Sequence, residues 1–96
     1  MFWHAYLFIT ARIHKNNVIA VPKDAPLDIL GPLGCGIQTG AGAIINTLKV
    51  KVGSSVVISG TGAVGLAAVM AARASSATTI IAVDINQDRL DFSKEL

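Results

Sequence analysis

Ninety-six residues suffice for one small core, and 52% hydrophobic against 15% charged residues points away from disorder. The net charge of +2 comes from scattered Lys and Arg without a basic cluster, so an electrostatic footprint for nucleic acid is missing. One cysteine excludes an internal disulfide and fits a reducing, cytoplasmic setting.

Residues 1–15 mix aromatic and basic side chains with no clean period. The apolar start is short, and Arg12 and Lys15 follow it instead of preceding it, so no secretory signal is expected. Asn16-Asn17 reads as a turn and residues 18–21 as a short strand closed by Pro22. A polar connector with Pro26 occupies 23–28. After the glycine-rich run 31–36, residues 38–48 can form a helix despite Gly40 and Gly42, whose small size suggests close packing against another element.

Residues 49–53 turn into a strand at 55–59, a β-branched run without alternation that predicts burial on both faces. Residues 63–74 read as a helix of alanines with Val64, Leu66, Val69 and Met70, small enough to press against a sheet. The buried-strand pattern repeats at 79–83. Asn86 is a plausible N-cap for a helix over 87–96, with Leu90, Phe92 and Leu96 as packing residues. The order β-α-β-α implies a parallel pair of strands.

Between the first strand and its helix stands Gly60-Thr61-Gly62-Ala63-Val64-Gly65, and Asp84 ends the second strand. Strand, glycine turn, helix and a strand-end acid about 20 residues on form the dinucleotide-binding fingerprint. Gly60 permits the tight turn, Gly62 leaves no side chain between backbone and pyrophosphate, and Gly65 lets the helix lie close to the sheet. The first-turn amides, from Ala63 to Gly65, lack intrahelical acceptors and suit phosphate oxygens. Asp84 would accept hydrogen bonds from both ribose hydroxyls and repel a 2′-phosphate, favouring NAD over NADP. The fold expected is α/β: the opening β-α-β-α half of a Rossmann domain.

A membrane hairpin is a lesser competing reading. Residues 29–48 and 52–72 lack formal charge and are long enough to span a bilayer, with Lys49 and Lys51 in the turn between them. The glycines, Pro32, Gln38 and Asn46 in these runs fit strand-turn-helix better than a continuous lipid-facing helix.

From about Val18 onward the chain resembles the zinc-dependent medium-chain alcohol dehydrogenases. The resemblance rests on residues 30–42 (Leu-Gly-Pro-Leu-Gly-Cys-Gly-Ile-Gln-Thr-Gly-Ala-Gly), on Val52-Gly53-Ser54-Ser55-Val56, on the Gly60–Gly65 loop, and on Val83-Asp84-Ile85-Asn86 with Arg89-Leu90. The first run looks most like the aryl-alcohol branch. By this resemblance residues 1–30 are the tail of a GroES-like catalytic domain, 31–48 a connecting segment with a helix, and 49–96 part of an NAD-binding Rossmann domain.

The resemblance also implies roles. Cys35 matches one of three protein ligands of a catalytic zinc, alcohol dehydrogenase being the standing example of a two-cysteine, one-histidine site. Thr39 matches a threonine beside the nicotinamide ring, and Val64 the aliphatic residue on the ring's other face. Asp84 and Arg89 match the acid and base that hold the adenosine ribose. The implied reaction takes a primary, possibly aromatic, alcohol to its aldehyde: zinc acidifies the alcohol and a hydride passes to NAD. The complete enzyme would be a homo-oligomer without membrane attachment.

The remaining zinc-ligand motifs are missing, and neither His4 nor His14 matches one. Cys35 alone cannot hold a catalytic zinc, so a small buried hydrophobe is its expectation in this chain. The 96 residues alone are expected to be inactive and to belong to a longer enzyme. A non-catalytic nucleotide-binding module and a zinc-free reductase of the same superfamily are the remaining alternatives.

Overall fold

The computed structural model describes residues 10–96. His4 and the apolar start at 1–9 lie outside them. The chain runs through a 3-10 turn at Lys15–Asn17, a short helix α1 (Leu27–Leu30), a second 3-10 turn at Gly31–Gly34, and helix α2 (Gly36–Gly42). Helix α2 continues as a wider π turn over Ala43–Thr47, marked by the Leu48 N–H donating to Ala43 O at 2.8 Å, five residues back. Strand β1 (Ser55–Ser59), helix α3 (Ala63–Ala74), strand β2 (Thr79–Val83) and helix α4 (Gln87–Glu95) follow.

The two strands pair in parallel, Val57 opposite Ile81. One face of the sheet is covered. Val56 and Ile58 point into a core built with Ala68, Val69, Ala71 and Ala72 of α3 and with Ile44, while Ile80 packs against its edge. Alanines on α3 are what let the helix axis approach the strands, and α2 packs along α3, with Ile44 just beyond its end reaching the same core.

Gly40 shows how close that second approach is. A Cβ built there would overlap the Val64 carbonyl and lie 2.9 Å from Ala67 Cβ. Glycine inside a helix costs about 1 kcal/mol relative to alanine. Here that cost is the smaller one, because a side chain would force the two helices apart.

Helix α3 stops at a Schellman turn. The Ala77 N–H donates to Ala72 O at 3.1 Å and the Ser76 N–H to Arg73 O at 2.9 Å, with Ser76 in the left-handed region at φ +59°. At α4, the Asn86 side chain accepts from the Arg89 N–H at 3.2 Å, the N-cap expected from sequence.

Several expectations need correction. Residues 18–21 pair with no strand among the described residues and run as unpaired chain. The helix expected over 38–48 starts two residues earlier, at Gly36. The strands alternate instead of being buried on both sides, β1 between buried and exposed positions and β2 between half-buried and exposed ones: only one face carries helices, and Val57 is 66% exposed on the other. Phe92 is half-exposed on α4, whose inward position is taken by Ser93, its hydroxyl donating to Leu90 O. The membrane hairpin is overturned. Residues 52–72 break into strand, turn and helix, and no described helix is long and apolar enough to cross a bilayer.

Candidate functional site

The loop between β1 and α3 is shaped by its glycines. Gly60 takes φ +90°, a conformation L side chains rarely adopt, while its N–H donates to Val83 O at 2.7 Å and ties the turn to the end of β2. Gly62 caps α3 with extended backbone and no side-chain bond, and a Cβ there would meet nothing within 4 Å. That open space faces the helix start. The first helical bond runs from the Leu66 N–H to Gly62 O at 2.8 Å, so the amides of Ala63, Val64 and Gly65 have no acceptor inside the helix. Gly65 is confined for another reason: a Cβ would overlap the Gly60 carbonyl, so the helix start is packed against the loop itself.

Asp84 stands immediately after β2 and is drawn back onto this loop. Its Oδ2 accepts from the Thr61 N–H at 2.6 Å and from the Thr61 hydroxyl at 2.8 Å, and its Oδ1 accepts from the Asn86 N–H at 2.9 Å. A carboxylate offers about four acceptor positions, and three are taken. These donors hold the carboxyl well below the usual carboxylate range, the Thr61 amide first, then the Asn86 amide and the Thr61 hydroxyl, with a smaller pull from the Arg89 guanidinium. Asp84 is therefore a fixed negative charge at neutral pH.

Thr39, Gly60, Gly62, Ala63, Val64 and Gly65 share one open cleft of about 470 Å³, floored by Gly40 and Ile58. Cys35 lies in an adjoining cleft of about 570 Å³, and Thr39 and Ala43 line both. Helix geometry accounts for the junction: Cys35 is the N-cap of α2 and its carbonyl accepts the Thr39 N–H at 2.8 Å, one turn on. Asp84 and Arg89 line neither cleft; they sit at the end of β2 and the start of α4.

Cys35 is exposed, which corrects the expectation of a buried hydrophobe. The 3-10 turn at Gly31–Gly34 delivers the chain along the surface, and among the described residues no large apolar side chain lines the thiol's cleft. His14 caps the 3-10 turn at Lys15–Asn17, where its Nδ1 accepts the Asn16 N–H. Among the described residues no three of His, Cys, Asp and Glu come together to hold a metal ion. The described residues therefore do not complete a zinc site.

Gly40 makes the close helix contact that its small size suggests, whereas little in the sequence singles out Thr61 as a site-forming residue. Thr61 is fully buried, and the only signal was a hydroxyl placed inside a loop of small residues.

No family model matches the chain. It is 49% identical over 97 aligned positions to the geraniol dehydrogenase of Castellaniella defragrans, an alignment covering 100% of this chain and 26% of that protein. Among solved structures it resembles an alcohol dehydrogenase zinc-binding domain protein from Burkholderia ambifaria, with a TM-score of 0.75 and 67% identity over 78% of this chain and 20% of that one. The benzyl alcohol dehydrogenase from Acinetobacter calcoaceticus gives a TM-score of 0.77 and 58% identity over 80% of this chain and 21% of that one. The chain thus spans about a quarter of the length of the curated relatives it matches.

Proposed function

This chain belongs, as a partial length, to the family of zinc-dependent medium-chain alcohol dehydrogenases, and on that premise we propose that it carries the end of the catalytic domain and the opening half of the NAD-binding domain of an enzyme oxidising a primary alcohol, aromatic ones included, to its aldehyde. Residues 1–30 would close the catalytic domain, 31–48 connect it, and 49–96 open the dinucleotide domain. The observation that carries the reading is the glycine loop of residues 60–65, open at Gly62 and facing the uncapped start of α3, with an ionised Asp84 tied to the same loop.

Bound NAD would supply the hydride acceptor. The amides of Ala63, Val64 and Gly65 would hold the pyrophosphate, helped by the positive end of the α3 dipole. Asp84 would take the adenosine ribose through the one acceptor position left on Oδ1, so one sugar hydroxyl instead of the two expected from sequence, Arg89 would lie over it, and the Asp84 charge would turn away a 2′-phosphate. Thr39 and Val64, which both line the loop cleft, would position the nicotinamide. Cys35 would contribute one thiolate toward zinc, the other ligands coming from residues outside those described here.

Titration calorimetry with NAD and NADP tests the reading. Saturable NAD binding is expected, weakened roughly 10- to 100-fold by Asp84→Ala through loss of charge-assisted hydrogen bonds. Equal affinity in the variant, or tighter binding of NADP by the unsubstituted chain, would defeat it.

A further inference from the structure

We propose that Thr61 is the positioning residue for the ribose-binding carboxylate: its amide and hydroxyl together clamp Asp84 Oδ2 and leave the free acceptor position of Oδ1 for the sugar. The inference rests on the cofactor reading above, but the clamp itself is a property of the chain. Thr61 is fully buried although it sits in a loop of small residues, and both of its donors reach one oxygen, at 2.6 and 2.8 Å. The Thr61 and Asn86 amides each hold one oxygen of the carboxylate and leave it only a limited swing about its Cβ–Cγ bond. The Thr61 hydroxyl adds a second donor to Oδ2 and narrows that swing further.

The clamp also spans the fold. Thr61 follows β1 and Asp84 follows β2, so one residue fixes the carboxylate relative to the loop meant to carry the pyrophosphate. Ordering the acceptor before the ligand arrives spares the ordering cost on binding. Asn86 completes the arrangement from the start of α4 by donating to Oδ1, and Arg89 is the charged group facing the carboxylate from that helix.

Thr61→Val keeps shape and amide but deletes the hydroxyl; Thr61→Ser restores a hydroxyl on a smaller side chain. Two readouts separate the clamp from the cofactor reading. The first is the carboxyl ¹³C titration of Asp84, whose midpoint is expected to rise in Thr61→Val and to stay near the unsubstituted value in Thr61→Ser. The second is NAD affinity by calorimetry, expected to fall about five- to tenfold in Thr61→Val and to remain within about twofold in Thr61→Ser.

A midpoint unchanged in Thr61→Val overturns the clamp, and a raised midpoint with undiminished NAD affinity overturns the positioning role. A raised midpoint in a chain that binds no NAD even unsubstituted supports the clamp and defeats the cofactor reading instead. Should Thr61→Val fail to fold, the Thr61 amide proton of the unsubstituted chain serves: it must shift as Asp84 is protonated, and a resonance that stays still overturns the clamp.

Discussion

The α-carbon of Gly40 lies so close to the main-chain carbonyl of Val64 that no side chain fits between them. This contact joins the helix carrying Cys35 and Thr39 to the first turn of the helix that starts at the glycine loop. The spacing of the two clefts is thus set by one missing methyl group.

Replacing Gly40 with alanine is therefore expected to destabilise the chain, although alanine is the better helix former. Overlap with backbone cannot be relieved by a rotamer change, so the cost should reach about 1–3 kcal/mol after subtracting the gain in helix propensity. Urea denaturation measures it. A Gly40→Ala variant as stable as the parent would show that α2 and α3 do not pack as described.

The opposite sign is expected at Ser76. A serine held at φ +59° sits where glycine is relaxed, and its turn is built from backbone bonds alone. Ser76→Gly should raise stability by roughly 0.5–1 kcal/mol, the left-handed strain outweighing the extra freedom glycine brings to the unfolded chain. Thermal melting of the variant decides this.

Acid should reveal the clamped carboxylate. Asp84 and Asp91 both have lowered pKa values in the folded chain, Asp84 through Thr61 and Asn86, Asp91 through Gln87 and Lys94. A carboxylate with a depressed folded value stabilises fully above its unfolded value, near 3.9. That contribution fades as the pH falls below about 4 and ends once the folded-state carboxyl is protonated. The melting temperature should decline over this window. Asp84→Asn should flatten much of the decline, and a slope equal to the parent's would remove Asp84 from the account.

Cys35 should be dispensable for folding. It is exposed, and among the described residues it belongs to no group of three His, Cys, Asp or Glu side chains that could hold a metal ion. Cys35→Ser and exposure to a chelator are each expected to leave the melting temperature unchanged. A marked drop with chelator would mean that metal holds this chain together.

The elements around the loop were legible from sequence because their signals are local. A β-branched run, glycines at a turn and an alanine-rich stretch located β1 and α3 to the residue, and Asn86 marked the start of α4. What escaped depends on distant partners. Residues 18–21 have strand composition, but a strand needs a neighbour, and none of the described segments provides one. Phe92 looked like core material, yet the sheet beneath α4 is only two strands wide and Ser93 fills the contact. The link from Thr61 to Asp84 crosses 23 residues, and no local pattern announces it.

The dinucleotide cradle is tested most directly by amide chemical-shift mapping as NAD is added to the ¹⁵N-labelled chain. The largest shifts are expected at the amides of residues 60–65, with a second set at Asp84, Asn86 and Arg89. Shifts scattered over the surface, or confined to segments away from this loop while NAD saturates the chain, would contradict it.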